Sequence, residues 1–594
     1  MADGGPTSFL IVEELFSAGS PEFLPALLAW RDPGPFSPFA KRWLDDSRPW
    51  AREQMFAYIQ AALHVPNHNS LVKRLFKGAE ARNDDRLVAA WAVTFDRLVR
   101  RMRKKGSTWD YQRRMSVPCE RLVTPSDQLR YVPAQRGRNP FTRESIVVGP
   151  AVMGQRLFSY HTRYYLRRRA WRYFRYMGYG RPADYVPALT AMIAGYTDTD
   201  LATGDNLMDS WSLLHACFAE SDAISFTTHR ARLKAGASIA SLSAAPAFSE
   251  LWQQQSSAAS LLSLLGTAGS TFARVWAIDL LRRWHATALI GLPVDQVIPL
   301  LSHPDDRVQT FGIELFEKAT GLEKLSFDRW FLLLQNKSLT VLDAVALAMR
   351  QHVPPASVSL FDAIMLAKGE AAPVARLGLH FLQSRTIETP QQRQALVNLA
   401  DANSAAVARE IVTWALARIG PPDVYDVEQV TRFFDSLLPE IRGAARDWLL
   451  AEGSAGWNDP SLWARLLESP FEDIRLFLVD VLEQRQSIPG AGDDAMTFLW
   501  TGVLLNIHRG GRKKLSALRQ ISDAIRENPA RADALMPVLA AAIRSVRVPE
   551  TRAGLSAVVT AIAARPELTA VVMRELPELE LLSLVPSPGT PGEG

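Results

Sequence analysis

The sequence predicts an all-α chain, an α-solenoid of stacked helix pairs interrupted by one irregular basic insertion. Three observations carry that expectation: a 33-residue period over about residues 260–485, helical apolar spacing on both sides of it, and a break in that spacing where arginine accumulates. Val275, Val308, Val341, Val374, Val407, Ile441 and Ile474 follow one another at intervals of 33, 33, 33, 33, 34 and 33 residues, and all are β-branched. Eight residues before six of them stand Leu300, Leu333, Leu366, Leu399, Phe433 and Leu466, while Thr267 holds the equivalent place in the first unit. A period of this length marks a supersecondary unit that cannot bury its apolar face alone, so neighbouring units must stack.

In chain order, residues 1–105 read as an N-terminal helical region. Ser47-Arg48-Pro49 opens a helix through Ala62, and Asn83-Asp84-Asp85 opens the next. Residues 106–181 form the basic aromatic insertion. Its first part, to about residue 155, is punctuated by Pro118, Pro125, Pro133, Pro140, Gly137, Gly149 and Gly154 and reads as irregular with small strands. A helical connector follows over 182–259, then the repeats of 260–485. Within each repeat a first helix ends at a capping break such as Ser302-His303-Pro304-Asp305-Asp306, and a second begins, here through Val308, Phe311, Leu315 and Phe316. Further helical repeats are expected over 486–584, and residues 585–594 read as a disordered tail. Tryptophans at 252, 276, 284, 330, 414, 448, 457, 463 and 500 are expected in the repeat core.

Composition excludes several classes. With 594 residues, 47% apolar and 22% charged, the chain is an ordinary globular one. No stretch approaches the roughly 18 uninterrupted apolar residues of a membrane span, and Met1–Gly5 lacks the build of a signal peptide. Cys119 and Cys217 are too few for a disulfide framework and suit a reducing compartment, so the expected location is cytoplasmic. The net charge of +5 conceals a split: residues 97–181 hold 21 Lys and Arg against Asp110, Glu120, Asp127 and Glu144, a local +17, which leaves −12 for the rest. Such asymmetry suggests an acidic or polyanionic partner.

The sharpest local feature is Tyr160–Arg181, which holds six of the twelve tyrosines. On a helix, Leu166, Ala170, Tyr173, Phe174 and Met177 share an apolar face that docks on the fold, and Gly178 and Gly180 end the helix. Arg163, Arg167, Arg168, Arg172 and Arg175 with Tyr164, Tyr165 and Tyr176 are the candidate polyanion contacts, since guanidinium groups grip phosphates while rings stack on unpaired bases. The plain alternative is that these arginines pack on aromatic faces and pair with carboxylates of neighbouring helices. A second basic turn adds Arg512, Lys513 and Lys514 after a Gly-Gly, where an anion could sit at a helix start or the cations could simply face solvent.

Asp473-Ile474-Arg475, with Glu440-Ile441-Arg442 and Asp306-Arg307-Val308 as variants, resembles the acidic-aliphatic-Arg signature that opens the second helix of HEAT-like, armadillo-type repeats. The resemblance covers about 260–485 and implies an α-solenoid; such arrays serve as scaffolds, nucleic-acid binders and occasionally enzymes. The sequence has no H-E-x-x-H, phosphate-loop, dinucleotide or G-x-S-x-G motif, and His64 and His68 are separated by Pro66 with no acidic cluster to complete a metal site. No catalytic residue, metal or cofactor is therefore assigned. The expected function is a non-enzymatic scaffold or adaptor that binds another macromolecule, a protein first, through an extended surface. Nucleic-acid binding through 160–181 is the alternative. A third reading, a HEAT-like DNA-repair glycosylase, requires an acidic residue and aromatics gathered in a basic cleft, which fold analogy alone suggests.

Overall fold

A computed structural model describes residues 8–61, 67–98, 102–123, 135–139, 141–149, 158, 160–227, 231–244, 246–485, 488–505 and 511–579. The tail 585–594 and His64 lie outside the described residues. Helix dominates, as the apolar spacing requires, and the chain divides into two compact units, Met1–Gly321 and Leu322–Gly594, whose boundary falls inside the stretch 260–485.

The first unit runs α1 (Phe9–Ala18), α2 (Phe23–Ala29), α3 (Phe36–Asp45), α4 (Pro49–Ala61), α5 (Asn69–Ala81) and α6 (Asp85–Arg97) before two antiparallel hairpins. The hairpins are β1 (Met102–Asp110) with β2 (Met115–Val123), and β3 (Gln135–Arg138) with β4 (Ser145–Gly149). Then come α7 (Tyr160–Gly180), α8 (Pro182–Ala194), α9 (Gly204–Asp209), α10 (Trp211–Cys217) and a third, unforeseen hairpin, β5 (Ile224–Phe226) with β6 (Ala231–Leu233). The unit closes with α11 (Ser249–Trp252), α12 (Ser257–Thr267), α13 (Thr271–Trp284), α14 (Ala286–Leu289), α15 (Val294–Leu301) and α16 (Asp306–Phe316). Short polar side chains start these helices: Asp84 accepts from the Leu87 N–H at 3.2 Å, Ser270 from Ala273 and Asp305 from Arg307. Gly178 does not end α7. It lies inside the helix against Phe248, whose ring a Cβ would meet at 2.5 Å, so its use is close approach rather than termination.

The second unit comprises α17 (Phe327–Leu333), α18 (Leu339–His352), α19 (Leu360–Ala367), α20 (Ala372–Gln383), α21 (Pro390–Leu396), α22 (Ala405–Ile419), α23 (Val427–Phe434) and α24 (Pro439–Leu450). It continues with α25 (Pro460–Leu467), α26 (Glu472–Arg485), α27 (Asp493–Leu504), α28 (Gly511–Glu527), α29 (Ala532–Ile543), α30 (Val548–Ala564) and α31 (Thr569–Glu575). Successive helices pack in pairs, α19 on α20, α23 on α24 and α25 on α26, and alternate helices touch as well, α18 on α20 on α22 on α24. Val341, Val374, Val407, Ile441 and Ile474 each stand third in their helix and are buried, as are Leu333, Leu366, Leu399, Phe433 and Leu466 before them. In the first unit Val308 and Leu300 are likewise buried, whereas Val275 is half-buried and Thr267 exposed. Of the nine core tryptophans expected, 252, 276, 330, 414, 463 and 500 are buried, and 284, 448 and 457 are half-buried at helix ends and turns. No helix among the described residues is long and apolar enough to cross a membrane.

The acidic-aliphatic-Arg triplet has a visible structural use. Buried Arg442 donates from Nε to Asp473 Oδ1 at 2.9 Å and from Nη1 to the Ser436 carbonyl at 2.6 Å, with its guanidinium 4.1 Å from the Phe471 ring centroid. In the first unit Arg274 repeats the pattern, 2.7 Å from Asp305 and 2.8 Å from the Ala268 carbonyl. Each arginine thus closes the turn before its own helix and grips the helix start of the next pair. Removing half-buried Asp473 strands the buried Arg442 guanidinium, so Asp473→Ala is expected to cost about 3 kcal/mol. The double variant Arg442→Met/Asp473→Leu should recover most of that loss. Denaturant unfolding of the full chain followed by circular dichroism measures both, and equal losses in the two variants would remove the pair from this role.

Candidate functional site

Helix α7 carries the charge that the sequence singles out, and its neighbours α6, α8 and α10 decide what that charge can do. Leu166, Ala170, Tyr173, Phe174 and Met177 are all buried, so the apolar face docks inward. Arg167 goes with it. Its Nε donates to Asp96 Oδ1 at 3.0 Å, its Nη2 donates to the Asp209 carbonyl, and its guanidinium lies 4.5 Å from the Trp211 ring centroid. Asp96, fully buried on α6, also accepts from Tyr196 Oη at 2.7 Å and from the Ser212 N–H at 2.8 Å and hydroxyl at 3.2 Å. Burial raises the Asp96 carboxyl above its ordinary range, and Arg167, Tyr196 and Ser212 pull it partway back. Tyr196 is correspondingly pushed well above the usual phenol range. The carboxylate acts as a hub fixing α6, α7 and α10.

Other cations on the helix and just after it find partners nearby. Arg169 reaches Glu80 on α5 at 2.5 Å, Arg181 reaches Asp85 at 2.7 Å, and Tyr173 donates to the same Asp85. Arg175 stands 3.8 Å from Glu220. Asp85, which opens α6, therefore ties α6 both to Tyr173 on α7 and to Arg181 at the start of α8.

Among the candidate polyanion contacts, Arg163 and Arg167 are buried and turned away from solvent, so they are corrected from contact residues to core residues. The reason is geometric: they share the inward side of α7 with Leu166 and Ala170. Tyr164 packs edge-on against Trp211 at 5.7 Å. What remains outward is a stripe at helical spacing of Tyr165, Arg168, Arg172 and Tyr176, with Arg172 over the Trp171 ring at 5.6 Å and Arg169 bonded to the Tyr165 hydroxyl at 2.7 Å. Arg168 and Arg172 have no carboxylate partner among the described residues. In the second unit, Lys513 pairs with Asp480 on α26, and Lys514 is buried, donating to the Leu504 carbonyl at 3.0 Å and lying 3.6 Å from Glu550. Lys514 is therefore also corrected to a core residue, while Arg512 is exposed and Lys513 half-buried.

Two features escape sequence reading. A cavity of about 670 Å³ opens among α4, α6, α8 and α12, lined by small side chains such as Ala90, Ala191 and Ser263, with Arg86 and Arg97 beside them. Arg97 is tied to Asp200 at 2.7 Å and to the Gly195 carbonyl at 2.8 Å, which fixes it as part of the wall. The second is a groove of about 500 Å³ on α19 and α21 in the second unit, lined by Leu360, Phe361, Ile364, Met365, Gln391 and Asn398. Among the described residues no cluster of three His, Cys, Asp or Glu could hold a metal ion. Cys119 is half-buried on β2 opposite Gly106, and buried Cys217 has its thiol pushed well up, which suppresses the thiolate.

No family model matches the chain, and no curated protein matches it significantly.

Proposed function

We propose that the chain is a cytoplasmic, non-enzymatic α-solenoid scaffold that binds a protein partner along an extended surface. What carries the reading is the row of large apolar side chains left outside on the first helices of the second unit. Leu332 on α17 and Phe361 and Met365 on α19 are all exposed, Phe361 at 70%, and Phe361 and Met365 line the α19–α21 groove. Leu332 and Met365 stand one residue before the buried column positions Leu333 and Leu366, the spacing that a stacked array would align. Exposed apolar rows rimmed by amides and charges are how soluble proteins present binding surfaces. The alternate-helix contacts and the recurring Arg–Asp pairs 31 residues apart support the stacked arrangement.

A photo-crosslinking residue placed at Phe361 in the full chain, expressed in its own cells, is expected to give a discrete adduct that survives nuclease treatment and is lost in Met365→Glu. No adduct, or one that nuclease removes, overturns the proposal. Small-angle scattering tests the solenoid separately: a radius of gyration above about 30 Å is expected, against about 25 Å for a compact chain of this length.

The alternative, nucleic acid gripped by 160–181, is narrowed by the burial of Arg163 and Arg167 to the outward stripe Tyr165, Arg168, Arg172 and Tyr176.

A further inference from the structure

The two hairpins between α6 and α7 end in the same device. In β1–β2, Asp110 pairs with Met115 across a four-residue loop, and its Oδ1 accepts from the Gln112 N–H at 2.9 Å and the Arg113 N–H at 3.2 Å. In β3–β4, Asn139 Oδ1 accepts from the Phe141 N–H at 2.9 Å and the Thr142 N–H at 3.4 Å, while the Asn139 N–H closes on the Glu144 carbonyl at 2.9 Å. The side-chain bonds to residues two and three positions on are Asx turns, which start a tight loop without a partner strand's help. Each loop then ends on an arginine in the left-handed region, Arg114 at φ 49° and Arg143 at φ 58°. Glycine would fill both places at less conformational cost, so what the arginines add is a guanidinium at the tip.

Each tip also holds out a ring. Tyr111 is 86% exposed and Phe141 93%, with Trp109 and Met115 exposed where β1 and β2 enter the loop. No described side chain of either hairpin is buried. A two-stranded hairpin is marginal alone in water, and neither burial nor helix packing explains rings placed at its end. In sequence both hairpins are one-sided in charge: residues 102–123 hold six cations and two carboxylates, and residues 135–149 three cations and one carboxylate.

We propose that these tips are paired contact points for single-stranded nucleic acid, Tyr111 and Phe141 stacking on unpaired bases while Arg114 and Arg143 hold adjacent phosphates. Bare rings without an apolar pocket suit flat bases better than aliphatic peptide side chains, and the cations suit a phosphate backbone. The site uses none of the residues of the α19–α21 groove and does not rest on the scaffold reading.

The test uses the full chain and fluorescent 20-nucleotide single strands, with a duplex of the same sequence, anionic phospholipid vesicles and polyglutamate as comparison arms. Arg114→Gly/Arg143→Gly keeps the left-handed backbone and deletes only the cations, so it cannot act by unfolding the tips. Losing two phosphate contacts should flatten the log–log salt slope by about 1.4 and weaken single-strand affinity about 25-fold near 0.1 M salt. Tyr111→Ala and Phe141→Ala should each weaken it about fivefold or more with little change in slope. Absence of single-strand binding near 50 mM salt, where phosphate contacts are strongest, overturns the proposal. So does unchanged affinity in the variants, loss confined to the glycine variant, duplex binding as tight as single-strand binding, or vesicle or polyglutamate binding with the same dependence on these residues.

Discussion

Asp96→Ala is expected to destabilise the first unit by about 4 kcal/mol, the cost of stranding one partner of a buried ion pair. The aspartate pairs with Arg167 in the core, and without it a buried guanidinium is left with the Asp209 carbonyl and the face of Trp211. Tyr196 Oη and the Ser212 N–H lose their acceptor at the same time, and each unpaired buried polar group adds its own desolvation cost. Arg167→Met on the Asp96→Ala background should return much of the loss, because the stranded charge is then gone. Asp96→Asn keeps the shape and the acceptor for Tyr196 and Ser212 but not the charge, and should fall between. Denaturant unfolding of the full chain, with hydrogen exchange on α6, α7 and α10 to locate the change, measures all three. A loss below about 1 kcal/mol for Asp96→Ala, the scale of an exposed pair, would mean that the hub does not fix these helices.

That hub also explains what sequence reading reached and what it did not. Helix starts such as Asp84, Asp305 and Asp459 are decided by neighbours two or three residues away, and the apolar face of α7 by spacing within one helix, so both are visible in the order of residues. The partners of the arginines are not local. Arg167 and Asp96 are 71 residues apart, Ser212 and Asp96 116, and Arg97 and Asp200 103. A count of +17 over residues 97–181 therefore adds together arginines neutralised by distant carboxylates and arginines left in solvent. The hairpin tips were hidden for a different reason. Asp110 and Asn139 are proper loop-opening residues, but the left-handed position that normally announces itself through glycine is held by arginine at 114 and 143. The same substitution that hid the loops places a cation at each tip.

The pH dependence of the first unit follows from a histidine that the chain keeps neutral. His68 is buried between Tyr58 and the Trp30 carbonyl, with Nδ1 2.8 Å from Tyr58 Oη and Nε2 2.9 Å from the carbonyl oxygen. A carbonyl can only accept, so Nε2 carries the proton and Nδ1 receives the Tyr58 hydroxyl; the neutral ring satisfies both bonds. Burial, opposed by the Trp30 carbonyl and helped by nearby Arg31, lowers its pKa to about 4 from an ordinary 6.5. Half-buried His215, stacked on Trp171 at 4.5 Å, is likewise lowered to about 4, first by burial and then by Arg167 and Arg175. Between these values the unfolded chain binds protons that the folded chain refuses, so stability is full above pH 6.5 and falls as the pH drops towards 4. For His68 the loss reaches about 3 kcal/mol at pH 4, and His215, being more exposed, adds less. His68→Gln offers an amide donor to the Trp30 carbonyl but no titrating group, so the stability difference between the natural chain and this variant isolates the effect from every other ionisation. That difference should shrink by about 3 kcal/mol from pH 7 to pH 4, read from urea unfolding at each pH. A difference that stays level across that range would show that His68 takes up its proton without opening the packing of α3, α4 and α5 around it.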